Sequence, residues 1–193
     1  MKTFHKSAAQ SGRSMVEMLG VLAIVGVLSV GGIAGYSMAM SKFKITKTID
    51  QVQTIITNMR TLYASQRKYT ALSASAAYNM GILTDETYDS TKGQGVNPYG
   101  GDIHFYVTSG GREWQLAYTR LTAEACLKLA TADWGADASS GLVRMNISGD
   151  DASSVEYTWT GANKLPPELS SAARSCAGSS PGANMAFILW TFR

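Results

Sequence analysis

Charged residues are absent from one long stretch of this 193-residue sequence. From Met18 to Ser41 the chain carries no Asp, Glu, Lys or Arg, and we call these 24 residues the apolar segment. A helix needs about 20 apolar residues to cross a bilayer. The apolar core of a cleaved secretory signal is shorter, roughly 7–15 residues. The apolar segment therefore predicts a membrane-spanning helix, with a cleaved secretory signal as the alternative.

Histidine and cysteine are also scarce, with two of each. His5 and His104 are far apart in the sequence, so neither a metal-ligand cluster nor a histidine-based catalytic triad is evident. Phosphate-binding glycine loops and zinc-protease motifs are missing as well. The stretch from Ser41 to Lys44 matches S-x-x-K but lacks the companion motifs of that hydrolase class. We therefore expect no enzyme activity, no metal and no cofactor.

Acidic residues are missing from the first 16 positions, which contain Lys2, Lys6 and Arg13. Positive charge beside a span stays in the cytoplasm, so the chain after the segment is expected on the outer side of the membrane. An oxidising compartment there allows a disulfide between Cys126 and Cys176, with two reduced thiols or a metal pair as alternatives. The net charge of +3 includes no basic tract, so we expect no nucleic-acid binding.

After the apolar segment, apolar residues recur at steps of four and three. They are Ile45, Ile49, Val52, Ile56, Met59 and Tyr63. This spacing predicts an amphipathic helix that continues the span and lies on a core. No proline interrupts the stretch, so a single helix of about 80 Å is expected from Ser14 to Arg67.

The rest of the chain predicts a mixture of short helices and strands. We expect a helix over Ser73–Met80 and a turn at 97–101. A hairpin follows around Ser109-Gly110-Gly111. The predicted strands are Ile103–Thr108, Glu113–Arg120, Leu142–Ile147, Val155–Thr160 and Met185–Phe192. A helix capped by Thr122 is expected to run through Trp134, and a second one to run from Pro166 to Ala173.

Glu17 is an isolated acid at the head of the apolar segment, and Gly12 lies five residues before it. A glycine, an acid and a span in this register resemble the processing site of type IV pilins. The resemblance implies that prepilin peptidase cuts between Gly12 and Arg13 and N-methylates Arg13. Glu17 is then the fifth residue of the mature chain, and its carboxylate pairs with an N-terminal amine during assembly. Gly26, Gly31 and Gly32 would allow the core helix to unwind partly in a filament.

The second half also resembles type IV pilins, in particular the type IVb branch of toxin-coregulated, bundle-forming and conjugative thin pili. The similarity lies in "NPYGG", in "LTAEACLKLA" and in "CAG" before the last strand. It implies an α+β fold in which a long N-terminal helix packs on an antiparallel sheet, with a C-terminal disulfide-bounded region. The implied parts are a cleaved leader (1–12), a transmembrane and filament-core helix (13–41), an amphipathic continuation (42–68) and a globular head (69–193).

The resemblance implies a structural subunit, the major pilin of a type IV pilus. Its implied partners are further copies of itself, prepilin peptidase, the assembly machinery of the inner membrane, and the membrane itself before assembly. The fibre would then lie outside the cell. A minor pilin or a pseudopilin of a type II secretion system is one alternative. A single-pass membrane-anchored binding protein is the alternative from another class.

Overall fold

The computed structural model describes residues 15–66, 68–135, 141–149, 154–177 and 186–193. The chain divides into two compact units, Met1–Lys42 and Phe43–Arg193. The first unit contains the apolar segment. Among the described residues, every buried apolar side chain belongs to the second unit, and so do all the strands.

Helix α1 spans Met15–Tyr63 and contributes to both units. In the second unit its buried side chains recur at steps of three and four, which places them on one face. They are Ile45, Thr48, Val52, Ile55, Ile56 and Met59. The helix ends at Tyr63, four residues before the predicted end at Arg67. Ala64 and Ser65 are exposed, so no packing extends the helix further.

The remaining elements belong to the second unit. The shorter helices in the described part of the chain are α2 (Ala74–Asn79), α3 (Ala123–Ala130) and α4 (Leu169–Ala177). The strands there are β1 (Tyr88–Asp89), β2 (Gln94–Val96), β3 (Asp102–Thr108), β4 (Glu113–Leu121), β5 (Leu142–Ser148), β6 (Val155–Thr158) and β7 (Ala186–Phe192). A 3₁₀ turn, Ser109–Gly111, connects β3 to β4 as the predicted hairpin requires.

The strands form one antiparallel sheet in the order β1-β2-β3-β4-β7-β5-β6. Strand β7 is last in the chain but lies between β4 and β5. Leu116 of β4 pairs with Trp190 of β7, which pairs in turn with Met145 of β5. All three side chains are at most 1% exposed, so this row lies in the core. Helix α3 packs against β7, and α4 packs against β5 and β7.

Besides α1, three elements differ from the sequence predictions by two residues or more. Helix α3 ends at Ala130 instead of Trp134, because the Trp134 indole folds back and donates to the Leu129 carbonyl at 2.8 Å. Helix α4 begins three residues after Pro166, at Leu169, and runs to Ala177. Strand β6 ends at Thr158, two residues early. Strands β1 and β2 were not predicted, since runs of two and three residues carry no readable alternation.

Candidate assembly site

The apolar segment presents large apolar side chains on every side of α1. No described residue from position 15 to 39 is buried. The exposed fractions of the large apolar side chains run from 46% at Met18 to 83% at Met15. A helix that is apolar all round is normally covered by lipid or by other protein. By length and composition, α1 is also suited to cross a membrane.

Two serine hydroxyls within the apolar segment are paired by the helix itself. The Ser29 hydroxyl donates to the Val25 carbonyl at 2.7 Å, and the Ser37 hydroxyl donates to the Ala34 carbonyl at 2.9 Å. Neither serine therefore needs water or a partner chain to pair its hydroxyl hydrogen. This arrangement suits an environment without water.

Glu17 is the exception, because it is the single charged side chain between Met15 and Ser41. It lies in the first turn of α1, where the helix dipole favours a carboxylate, and it is exposed. Gly12 and Arg13 lie outside the described residues. The contact between the Glu17 carboxylate and the amine of Arg13 therefore stays a prediction.

The glycines of the apolar segment have no packing role within this chain. A β-carbon added at Gly26, Gly31 or Gly32 would meet no atom within 4 Å. Each position lies in the continuous helix α1, although glycine lowers helix stability by about 1 kcal/mol relative to alanine. Their proposed flexibility in a filament stays a prediction.

Cys126 and Cys176 form a disulfide that joins α3 to α4. Their Cα atoms are 5.7 Å apart, within the usual range for a disulfide. Both side chains are almost fully buried, with 0% and 2% exposure. The bridge therefore fixes the packing between two helices that both lie against the sheet.

The "NPYGG" sequence forms a tight turn that positions the start of β3. The buried Asn97 side chain accepts hydrogen bonds from the Tyr99 and Gly101 amides, at 2.8 and 3.1 Å. Its amide group donates to the Thr119 carbonyl of β4 at 2.8 Å. A β-carbon at Gly101 would overlap that same carbonyl group. The motif therefore has a structural role in the turn.

Tyr99 also connects this turn to α1. The Lys44 ammonium lies over the Tyr99 ring, 5.7 Å from its centre. Burial, with a smaller contribution from the negative charge of Glu124, raises the pKa of the Tyr99 hydroxyl to about 12. The turn and α1 are thus held together by a contact between a cation and an aromatic ring.

Glu113 is a buried carboxylate that sequence reasoning missed. Its two oxygens pair with the guanidinium groups of Arg144 at 3.2 Å and Arg193 at 3.5 Å. Arg144 also approaches Glu156, at 3.8 Å. Glu113 is on β4 and Arg144 on β5, so their ion pair reaches across the end of β7. Only the strand order brings these distant residues together, and no sequence motif indicates it.

Comparisons with known proteins agree with this architecture. The family model described as Bundlin matches residues 38–193. The major structural subunit of bundle-forming pilus from Escherichia coli O127:H6 (strain E2348/69 / EPEC) is 28% identical over 144 residues, covering 74% of each chain. The corresponding subunit from Escherichia coli O111:H- is 27% identical over the same length, again covering 74% of each chain.

A solved structure shows the same fold. The type IV pilin TcpA from the Vibrio cholerae El Tor biotype aligns with a TM-score of 0.51 at 11% identity, over 78% of this chain and 99% of that chain. The fold class predicted from the sequence is confirmed by this match and by the disulfide. Because the family model covers well over half of its residues, this chain belongs to the Bundlin family, and the type IVb pilin resemblance of its sequence is confirmed.

Proposed function

We propose that this chain is the major structural subunit of a type IV pilus, a surface fibre built from many copies. The observation that carries the proposal is a pilin fold combined with a helical segment that buries none of its apolar side chains in its own chain. The relatives that are named major subunits of bundle-forming pili support the same function.

The apolar segment gives the physical reason for assembly. Burying one large apolar side chain is worth about 1.5–3 kcal/mol, so the segment leaves a bilayer only for another apolar environment. A bundle of the same segment from many copies provides that environment. Each copy then contacts the next through two different surfaces, and such a heterologous contact does not close and therefore propagates.

Processing precedes assembly in this proposal. Prepilin peptidase cleaves between Gly12 and Arg13, and the new Arg13 amine is methylated. The support is the sequence register, since this cut makes Glu17 the fifth mature residue. A positive amine in an apolar bundle needs a negative partner, and Glu17 of the same or a neighbouring copy is the carboxylate in reach.

The mature chain waits in the inner membrane until assembly machinery extracts it into the extracellular fibre. The energy for extraction comes from the machinery, and we assign this chain no catalytic role and no cofactor. Gly26, Gly31 and Gly32 permit local unwinding of α1 as the bundle forms, because glycine lowers the cost of leaving the helix.

One experiment distinguishes the proposed function from two alternatives. A minor pilin or pseudopilin would be a rare component of a fibre, and a membrane-anchored binding protein would form no fibre. Fibres sheared from cells are examined by electron microscopy, and their protein content is measured by mass spectrometry. We expect this chain to be the main component, beginning at Arg13. Fibres in which it is rare, or its absence from fibres, would contradict the proposal.

A further inference from the structure

Four exposed cations cluster at the end of the second unit where α1 terminates. We call this cluster the basic end, and it consists of Arg60, Lys68, Arg112 and Arg193. Arg193 is 73% exposed even though it pairs with Glu113. Among the described residues, the other three cations form no ion pair.

Backbone contacts bring the members of the basic end together in two pairs. The Tyr69 amide donates to the Gly111 carbonyl at 2.7 Å, and a β-carbon at Gly111 would lie 3.2 Å from the Lys68 β-carbon. Lys68 therefore lies beside Arg112, which directly follows Gly111.

The second pair meets at Gly141. The Arg193 amide donates to the Gly141 carbonyl at 2.7 Å. A β-carbon at Gly141 would lie 3.6 Å from the Arg60 guanidinium and 2.9 Å from the Arg193 carbonyl oxygen. Arg60 and Arg193 are therefore neighbours. Glu113 links the two pairs, because it follows Arg112 in the chain and its carboxylate binds Arg193.

Glu113 does not neutralise this surface. It is 6% exposed, and its carboxylate is already shared between Arg144 and Arg193. The exposed charge of the basic end is consequently positive. Such a surface attracts carboxylates or other anions at the distance of a Debye length, about 8–10 Å at moderate salt.

A surface of opposite charge lies where the chain that follows α2 approaches an earlier turn of α1, and we call it the acidic surface. It consists of Asp50, Asp85, Glu86 and Asp89. Asp50 and Glu86 border the same shallow groove between α1 and the chain that follows α2. Within this region Lys47 pairs with Glu86 at 2.7 Å, and Lys92 pairs with Asp89 at 3.5 Å. The four acidic side chains outnumber the two lysines, so the acidic surface carries a net negative charge.

The two surfaces are separated along the helix. Asp50 and Arg60 are ten residues apart on α1, which corresponds to about 15 Å along the axis. When two parallel copies are displaced along the helix axis by about this distance, the acidic surface of one copy lies at the same height as the basic end of the other copy. A displaced contact of this kind is heterologous and repeats without closing.

We propose that the basic end of one copy binds the carboxylates of the acidic surface on a second copy of this chain. This contact rests on the proposed function as a fibre subunit and adds the surfaces that fix the displacement between neighbours. Single exposed ion pairs are weak, but several pairs repeated at every subunit select one register and exclude displacements that place like charges together.

Zero-length cross-linking tests the contact directly in intact fibres. A water-soluble carbodiimide activates a carboxylate, which then forms an amide with a lysine amine in contact with it. The carbodiimide takes up the water that is lost and becomes a urea. Fibres assembled from equal amounts of ¹⁵N-labelled and unlabelled chain are treated and digested. We expect mixed-isotope peptides that join Lys68 to Asp50, Asp85, Glu86 or Asp89. Lys68 linked only within one chain, or linked to none of these acids, would overturn the proposal.

Charge reversal tests whether the contact matters for assembly. We expect Lys68→Glu combined with Arg112→Glu to reduce fibre number at least tenfold, and Asp50→Lys combined with Glu86→Lys to do the same. Carrying all four changes in one chain should restore at least a third of the wild-type number, because the charges again match. That recovery would also show that the variants fold.

The matched control is Lys128→Glu combined with Lys164→Glu, which reverses two exposed cations elsewhere and should stay within twofold of wild type. Normal fibre numbers from either reversed pair would overturn the proposal. A fourfold variant as poor as its parents would also overturn it. Wild-type cells without fibres would refute the proposed function itself, and this contact with it.

Discussion

Cys126 and Cys176 are 50 residues apart in the chain, and their disulfide ties α3 to α4 with both sulfur atoms buried. Closing a loop of this length in the unfolded chain is worth about 4 kcal/mol in the chain-entropy model. We expect Cys126→Ala to lower the free energy of unfolding by about 2–4 kcal/mol. Denaturant unfolding of the detergent-solubilised chain, followed by tryptophan fluorescence, measures this change.

The control uses the same bridge. Cys176→Ala should cost as much as Cys126→Ala, and the double variant should be no worse than either, since one bond is lost in all three. Labelling of both cysteines by a thiol reagent in the native wild-type chain would contradict the disulfide.

Gly101 is expected to be the least replaceable residue of the "NPYGG" turn. A β-carbon there overlaps the Thr119 carbonyl, so Gly101→Ala must shift the backbone of β4. We expect a loss of about 2–3 kcal/mol of stability, as for other overpacked sites. Gly100→Asn is the matched control, because Gly100 has a φ of +75° that asparagine tolerates and open space around it. Equal stability of Gly101→Ala and wild type would contradict the turn geometry.

Alkaline pH should weaken the second unit through Tyr99. Its pKa is about 12 in the folded chain against an ordinary value of 10.0, so the unfolded state releases this proton first. The contribution of Tyr99 to stability is therefore constant well below pH 10 and is lost as pH rises from 10 to 12. We expect Tyr99→Phe to lose less stability than wild type between pH 9 and pH 11, measured by denaturant unfolding. Identical losses in the two proteins would show that Tyr99 does not titrate in this way.

The sequence predicted the elements with a clear local signal. The steps of three and four after Lys44 identified the buried face of α1, and runs of residues that favour strands identified β3, β4 and β7. Helix ends were less predictable, because tertiary contacts decide them. The Trp134 indole that bonds back to Leu129 ends α3 early, and a residue-by-residue propensity contains no such information.

The charged surfaces were beyond sequence reasoning for a different reason. Glu113, Arg144 and Arg193 come together only because the last strand is inserted between β4 and β5. The basic end likewise collects residues from the end of α1, the β3–β4 turn and the end of the chain. A single sequence shows the charges, but the order of strands in the sheet determines which of them meet.

Processing is tested by Gly12→Val, which places a β-branched side chain at the predicted cleavage site. We expect the leader to stay attached, so that intact mass and N-terminal peptides begin at Met1 instead of Arg13. Gly20→Val is the control, because a β-carbon at Gly20 meets no atom within 4 Å and the cleavage site is unchanged. A wild-type chain that begins at any residue other than Arg13 would contradict the predicted cut.

Glu17 distinguishes a fibre subunit from a simple membrane anchor. Replacing it with valine makes the span more apolar, so an anchor should be unaffected or improved. In a fibre subunit, the same change removes the carboxylate that we predict pairs with an incoming amine. Glu17→Asp, which retains the charge on a shorter side chain, is the matched comparison and should keep part of the assembly that Glu17→Val loses.

The decisive measurement is the number of surface fibres on cells in which Glu17→Val is the only copy of the chain. Electron microscopy counts the fibres, and membrane fractionation confirms that the variant is processed and present at the wild-type level. We predict at least a tenfold loss of fibres while the processed chain stays in the inner membrane. Normal fibre numbers from Glu17→Val would show that the carboxylate at the head of the apolar segment is not required for assembly.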